Sequence, residues 1–178
     1  MLEPAGFGIR FAAQLLDLIV TSLIGLVAGA IGGILAALLA MPGWQDRVGE
    51  VTPMGYLISF GASIVYHTLA EGLGGATIGK AICGLRVLTE QRQPCTIGKA
   101  LVRSLGYYVD GLFFGLVAWS SMSRSPTKQR LGDKWAGTIV VHNRSAQSLA
   151  LPSPALGMLV SVAAYAVLHI ASVVLRTG

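Results

Sequence analysis

The sequence predicts an all-α membrane protein. The expected parts are three full transmembrane helices, a shorter re-entrant or interfacial helical segment, and a small cytoplasmic β-hairpin or strand pair. Three observations carry this. Of 178 residues, 53% are hydrophobic and only 12% are charged, where a soluble domain carries about 25%, and mean hydropathy is +0.67. The apolar residues gather into four long stretches. The basic residues collect in the segments between them, which sets topology in membrane proteins.

The first stretch runs from about Ile9 to Ala40. At 1.5 Å per residue it spans roughly 48 Å of helix, against a hydrocarbon core of about 30 Å. It must tilt, protrude or break, and Gly32-Gly33 is the expected break. It is too long for the apolar region of a cleaved signal peptide and reads as a retained span. "MPGWQD" (41–46) is a Pro-Gly turn. The second stretch starts at Thr52-Pro53, a cap followed by proline at the first helical position, and continues to about Ala70. The fourth starts the same way at Ser153-Pro154 and runs to about Leu175.

The third stretch, about Ser104 to Ser121, is short and carries Asp110. Segment 71–103 holds five basic residues, segment 122–153 holds five more, and loop 41–52 holds one. Positive-inside reasoning puts the N-terminus and both rich segments in the cytoplasm. A single crossing at 104–121 would violate that, and two crossings need about 20 residues each. A re-entrant or shallow helix satisfies both constraints. "LRVLT" (85–89) and "GTIVVH" (137–142) read as short strands. If they pair, both ends of the third stretch lie on one side. "TEQRQPC" (89–95) reads as a turn closing on the residues after it.

"GGATIGKA" (74–81) resembles a phosphate-binding loop, but Ala81 follows Lys80 where that loop needs Ser or Thr for Mg²⁺. Nucleotide is therefore not an expected ligand, and neither is nucleic acid. "TIGKA" recurs at 96–100. Thr77 and Thr96 are good N-caps, so the repeat reads as two helix starts. Lys80 and Lys99 would run their stems along apolar surface and put their ammonium groups among anionic lipid headgroups. Cys83 and Cys95 have eleven residues between them and no ligand partners, which is not metal spacing. They read as free thiols, and no cofactor or metal is expected.

Polar residues inside the apolar stretches are costly, roughly 2.5–3.5 kcal/mol for an Arg or Asp at a helix centre. Arg10, Gln14 and Asp17 share one helix face, and Arg103, Tyr107 and Asp110 repeat the spacing. If the two segments pack antiparallel, Arg10 can meet Asp110 and Arg103 can meet Asp17. Two readings stay open: ion pairs fixing helix register, or a transport network. Gly25, Gly29 and Gly33 form a small-residue stripe for close helix approach, to this chain or to another subunit. His67 and His169 read as packing residues. Trp44, Tyr56, Trp119 and Trp135 sit near span ends, as interfacial belts do.

"IRFAAQLLDLIV", "GATIGKAICGLRVLTEQRQPCTIGKALVRSL" and "KQRLGDKWAGTIVV" resemble, in that order, the RDD family of integral membrane proteins. The family is named for one arginine and two aspartates, which correspond here to Arg10, Asp17 and Asp133. The likeness covers residues 5–142. The helix at 153–175 lies outside it, as an added C-terminal transmembrane helix. Asp133 could pair with Arg130 and Lys134 beside it, or with Arg10. No nucleophile–base set or metal cluster is visible, so an enzyme is not expected; the resemblance implies a membrane protein suspected of transporting ions or small solutes. Proton/monovalent cation exchange is the sharpest form, with Asp17 and Asp110 carrying the ion. The alternative is a scaffold or assembly factor for partner membrane proteins. Four spans are few for alternating access, so transport would need a homo-oligomer. The expected location is the bacterial inner (cell) membrane, with the N-terminus cytoplasmic.

Overall fold

The computed structural model describes residues 2–39, 53–111 and 115–175. Helix α1 (Phe7–Leu38) is followed by α2 (Pro53–Gly74), the short α3 (Ile78–Ile82), strand β1 (Leu85–Thr89) and α4 (Ile97–Asp110). Then come α5 (Leu116–Ser123), α6 (Leu131–Ala136), strand β2 (Thr138–His142), a 3₁₀ turn (Asn143–Ala146) and α7 (Pro154–Leu175). Two of these, α1 and α7, are long and apolar enough to cross a bilayer. Helix α2 has the length, at 22 residues, but Tyr66, His67, Thr68 and Glu71 dilute its apolar character. The expectation of three full crossings is thus carried by two helices on composition. The Pro-Gly turn at 41–46, Thr52 and Trp44 lie outside the described residues.

Helix α1 is continuous through Gly32-Gly33, so the expected break is absent. Its outward face is apolar and open: Leu18, Leu26 and Ile34 are exposed. Its inward face is small. Ala28, Gly32 and Ala36 are buried. A Cβ on Gly32 would collide with Val173 of α7, and one on Gly25 would touch His169 and Tyr165. Gly29 and Gly33 face open space. The expected stripe of Gly25, Gly29 and Gly33 is therefore corrected to Gly25, Ala28, Gly32 and Ala36. The reason is phase: Gly29 and Gly33 each follow a buried residue, Ala28 and Gly32, by one position, which turns them about 100° further round the helix and off the packed face.

Helix α7 packs along both α1 and α2. It meets α2 where Gly74 and Gly157 lie backbone to backbone, each without room for a Cβ. Tyr66 and Tyr165 fill the centre of this three-helix contact with Ala62. Arg86 of β1 donates to the carbonyls of Gly74 and Pro152. It thereby ties the end of α2 to the segment entering α7.

The two strands pair antiparallel, Leu85 opposite His142 through Thr89 opposite Thr138, as the strand signals predicted. Both faces are covered. Leu85, Val87 and Val140 pack with Ala5, Ala13, Cys95 and Ala100 on one side. Leu88, Ile139 and Val141 pack with Ala146 on the other. The N-terminal residues line the free edge of β2, with Ala5 N–H donating to the Val140 carbonyl at 2.9 Å. The turn after β1 closes back through a bridge between Leu88 and Pro94. Helices α4, α5 and α6 lie between the paired strands in sequence. Both ends of that excursion return to the paired strands.

Candidate functional site

The two "TIGKA" helices start as expected. The Thr77 side chain accepts from Lys80 N–H and Thr96 accepts from Lys99 N–H. Beyond the cap they diverge. Helix α3 lies against α1 so closely that a Cβ on Gly79 would fall on the Ala13 carbonyl and on Asp17. Gly98, its twin in α4, faces open space. Sequence made the two copies equal; packing buries one of them.

That burial remakes the role of Lys80. It is 5% exposed, and its Nζ lies 2.8 Å from Glu71 Oε1. The expected reach to lipid headgroups is thus corrected: Lys80 is an internal cation. A neighbouring carboxylate at hydrogen-bond distance, rather than water, compensates the ammonium. Lys99 is half-buried, with Nζ donating to the Ala136 carbonyl at 2.7 Å.

Glu71 begins a continuous chain of ion pairs. Its Oε2 accepts from Arg103 Nε at 2.8 Å. Arg103 Nη1 donates to Asp133 Oδ1 at 2.6 Å and to Thr138 Oγ1 at 2.9 Å. Asp133 Oδ2 accepts from Arg10 Nη2 at 2.5 Å and from the Arg130 backbone N–H at 3.1 Å. Arg10 Nη1 donates to the Lys128 carbonyl. The path Lys80–Glu71–Arg103–Asp133–Arg10 therefore joins α3, α2, α4, α6 and α1, and each member is under 9% exposed. Burial works against ionisation of Asp133, but Arg10, Arg103 and Arg130 together hold its carboxyl below the usual range. Beside this path, burial pushes the Cys95 thiol up to about 11.

The expected cross-pairs, Arg10 with Asp110 and Arg103 with Asp17, are not the ones formed. Helix α4 packs on α2 and α6, while α1 packs on α7 and α3. The two ladders therefore do not pack helix against helix. Of the partners weighed for Asp133, Arg10 is hydrogen-bonded to it and Arg130 stands 3.8 Å away as a second ion pair. Asp17 is 0% exposed and is held by three donors: Tyr66 Oη at 3.0 Å, Thr77 Oγ1 at 2.6 Å and Gly79 N–H at 2.8 Å. Lys80 Nζ stands 4.0 Å away. Asp110 ends α4 and accepts the backbone N–H groups of Leu131 and Gly132, at 3.0 and 3.2 Å, so it caps the start of α6. Its approach depends on Gly106 and Gly132, whose backbones touch.

The remaining nominated residues meet at a cavity. Arg10, Gln14, Tyr107, Asp110 and Arg130 line a space of about 300 Å³, closed by Phe7, Phe11, Ala118 and Met122 among others. Arg130 lies over the Tyr107 ring, 5.0 Å from its centroid. Asp17 is not part of this lining. Sequence reasoning passed over Glu71 and Tyr66, and read Thr77 as a helix cap without its bond to Asp17. Glu71 had a visible signal: a carboxylate at the end of an apolar stretch, within reach of two basic helix starts.

Comparison with known proteins bears on this geometry. The RDD family model matches residues 4–137, which contain every charged residue of the ion-pair path. The chain is also similar to an uncharacterized protein, YxaI, of Bacillus subtilis (strain 168). The two are 30% identical over 125 residues, covering 64% of this chain and 82% of that one. No solved structure matches. With Arg10, Asp17 and Asp133 all buried in one connected polar core, and with three-quarters of the sequence inside the family model, this membrane protein belongs to the RDD family.

Proposed function

We propose that this membrane protein carries a small ion or solute, and that the cavity bounded by Gln14, Tyr107 and Asp110 is where the cargo is held. The observation that supports the reading is the character of Asp110. It is the one carboxylate among the cavity's lining residues. Two backbone donors occupy it, and a carboxylate offers about four lone-pair positions. Acceptor capacity remains for a proton or a monovalent cation. Asp17 already has three hydrogen-bond donors against two for Asp110, and each has one cation beside it, Lys80 at 4.0 Å from Asp17 and Arg130 at 3.9 Å from Asp110. In the proton/cation form of the reading, the exchanging group is therefore Asp110, and Asp17 fixes α3 to α1.

The reading takes α2 as a third crossing between α1 and α7, and takes α4–α5 as the re-entrant segment. It places the N-terminus and the basic segments on the cytoplasmic side of a bacterial inner membrane. There Lys99 and its neighbours meet anionic headgroups, and copies of the chain assemble to complete a path. The test is a cation pulse applied to proteoliposomes carrying an internal pH indicator. Native protein should move protons, and Asp110→Asn should reduce the rate at least tenfold in protein that remains folded. Absence of flux from folded native protein refutes transport.

A second reading is favoured by one specific observation. Arg10, Lys80, Arg103 and Arg130 match Asp17, Glu71, Asp110 and Asp133 in number, and the carboxylates are hydrogen-bonded within the chain. A self-neutralised core of this kind suits a rigid membrane scaffold that assembles partner membrane proteins. A null flux result together with co-purification of a defined membrane partner would support it.

A further inference from the structure

Two donors in the charged core are left over. Among the described residues, Arg103 Nη2 and Arg130 Nε are buried side-chain atoms with no hydrogen-bond partner. Arg103 is 1% exposed. Arg130 Nε lies 3.9 Å from Asp110 Oδ2 and 3.8 Å from Asp133 Oδ2, close enough to feel charge but too far for a hydrogen bond. Guanidinium nitrogens only donate. Whatever satisfies these two must accept.

Both residues line a second, inner cavity of about 10 Å³, together with His67, Glu71, Lys80, Ser104 and Tyr107. That volume suits about one water-sized occupant. Its charged lining is three cations and one carboxylate. Glu71 has an oxygen committed to Lys80 and the other to Arg103, so the wall has little to offer a cation. Tyr107 and Arg130 line this cavity and the outer one alike. The Tyr107 ring is flanked by the Arg130 guanidinium and by the His67 ring, whose centroid is 5.8 Å away. The stacked pair Tyr107–Arg130 is the wall shared by the two spaces.

We propose that the inner cavity is a binding site for a single monatomic anion of the chloride class, held by Arg103 Nη2 and Arg130 Nε and reached from the outer cavity past Tyr107–Arg130. Water also accepts two hydrogen bonds, but an anion draws in addition on the three lining cations, because the carboxylates Asp17, Asp110 and Asp133 that pair with them do not line this cavity. The anion therefore competes with water and exchanges with it. This inference goes beyond the transport reading and stands whether or not anything is transported, since it concerns occupancy at rest.

The test is thermal unfolding of the full chain in detergent, with sodium chloride compared against sodium gluconate at equal ionic strength. A ligand that binds only the folded state raises the midpoint in proportion to its occupancy. Native protein should gain about 3 °C in chloride at tenfold saturation. Arg130→Lys keeps the charge but removes the Nε donor, and it should lose the chloride-specific gain. Equal midpoints in both salts overturn the proposal and leave the cavity to water. A gain that Arg130→Lys retains overturns it too, since the anion then binds elsewhere. Crystals of native protein soaked in bromide provide a measurement free of folding effects. An anomalous peak within hydrogen-bond reach of Arg103 Nη2 and Arg130 Nε supports the site, and bromide found only at other positions sinks it.

Discussion

Arg10 Nη2 lies 2.5 Å from Asp133 Oδ2. The first turn of the first membrane helix is thereby joined to a short helix 123 residues further along the chain. Arg103 holds the other oxygen of the same carboxylate, so one aspartate neutralises parts of two buried guanidinium groups.

Removing that charge should be severe. Asp133→Asn leaves Arg10 and Arg103 buried without their shared counter-ion, and breaking a buried pair from one side costs about 3–5 kcal/mol. Detergent-solubilised Asp133→Asn should unfold at lower temperature and be cut faster by trypsin. A double-mutant cycle refines the point. Arg10→Gln with Asp133→Asn should show a coupling above about 1 kcal/mol, and Arg10→Gln with Asp110→Asn a smaller one. Equal couplings would put Arg10 between both aspartates rather than on Asp133.

Acid should weaken the fold through the same group. Burial opposes the charge on Asp133, but the three arginines prevail and its folded pKa is below the ordinary carboxylate value. Such a group contributes stability that is complete above its unfolded pKa, about 3.9. The contribution is lost as pH falls toward the folded value. Melting temperature should therefore show no loss from Asp133 between pH 8 and about pH 5 and should fall below about pH 4. A main transition near neutrality would assign the acid response to another group.

The repeated motif offers a paired test of packing. Gly79→Ala drives a Cβ into the Ala13 carbonyl, whereas Gly98→Ala enters open space inside a helix. The first should destabilise by several kcal/mol, because backbone rather than a flexible side chain must yield. The second should be neutral or stabilising, by up to about 1 kcal/mol, through helix propensity. Differential scanning fluorimetry of the two variants decides it; similar losses in both would mean that α3 does not press on α1.

Thiol labelling separates the two cysteines. Both are free; Cys83 is half-buried and Cys95 is buried. Burial raises both pKa values, that of Cys95 to about 11, and only the thiolate reacts quickly. Maleimide at pH 7.5 should modify Cys83 slowly in the folded protein, with Cys95 protected until denaturant is added. Mass spectrometry of peptides gives the order, and faster labelling of Cys95 would show that the face of β1 against α4 is open.

Several features of this protein were legible in residue order alone. The long apolar runs, the Thr caps of the two "TIGKA" starts and the β-branched strands are local. Propensity, capping and periodicity act over a few residues, and they put α1, α7, α3, α4, β1 and β2 close to where they lie. Three motifs in sequence also sufficed to point to the family. The identity of the pairs was not local. Arg10 could have met Asp110 or Asp133, and Lys80 could have snorkelled to headgroups or turned inward. Those outcomes depend on which helix faces which. Gly79 lets α3 sit on α1, and Gly106 with Gly132 lets α6 sit on α4. Together these contacts bring Glu71 and Asp133 between the cations. Only the tertiary structure decides this, because in low dielectric a charge is stabilised by its nearest opposite charge in space, and sequence spacing does not contain that distance.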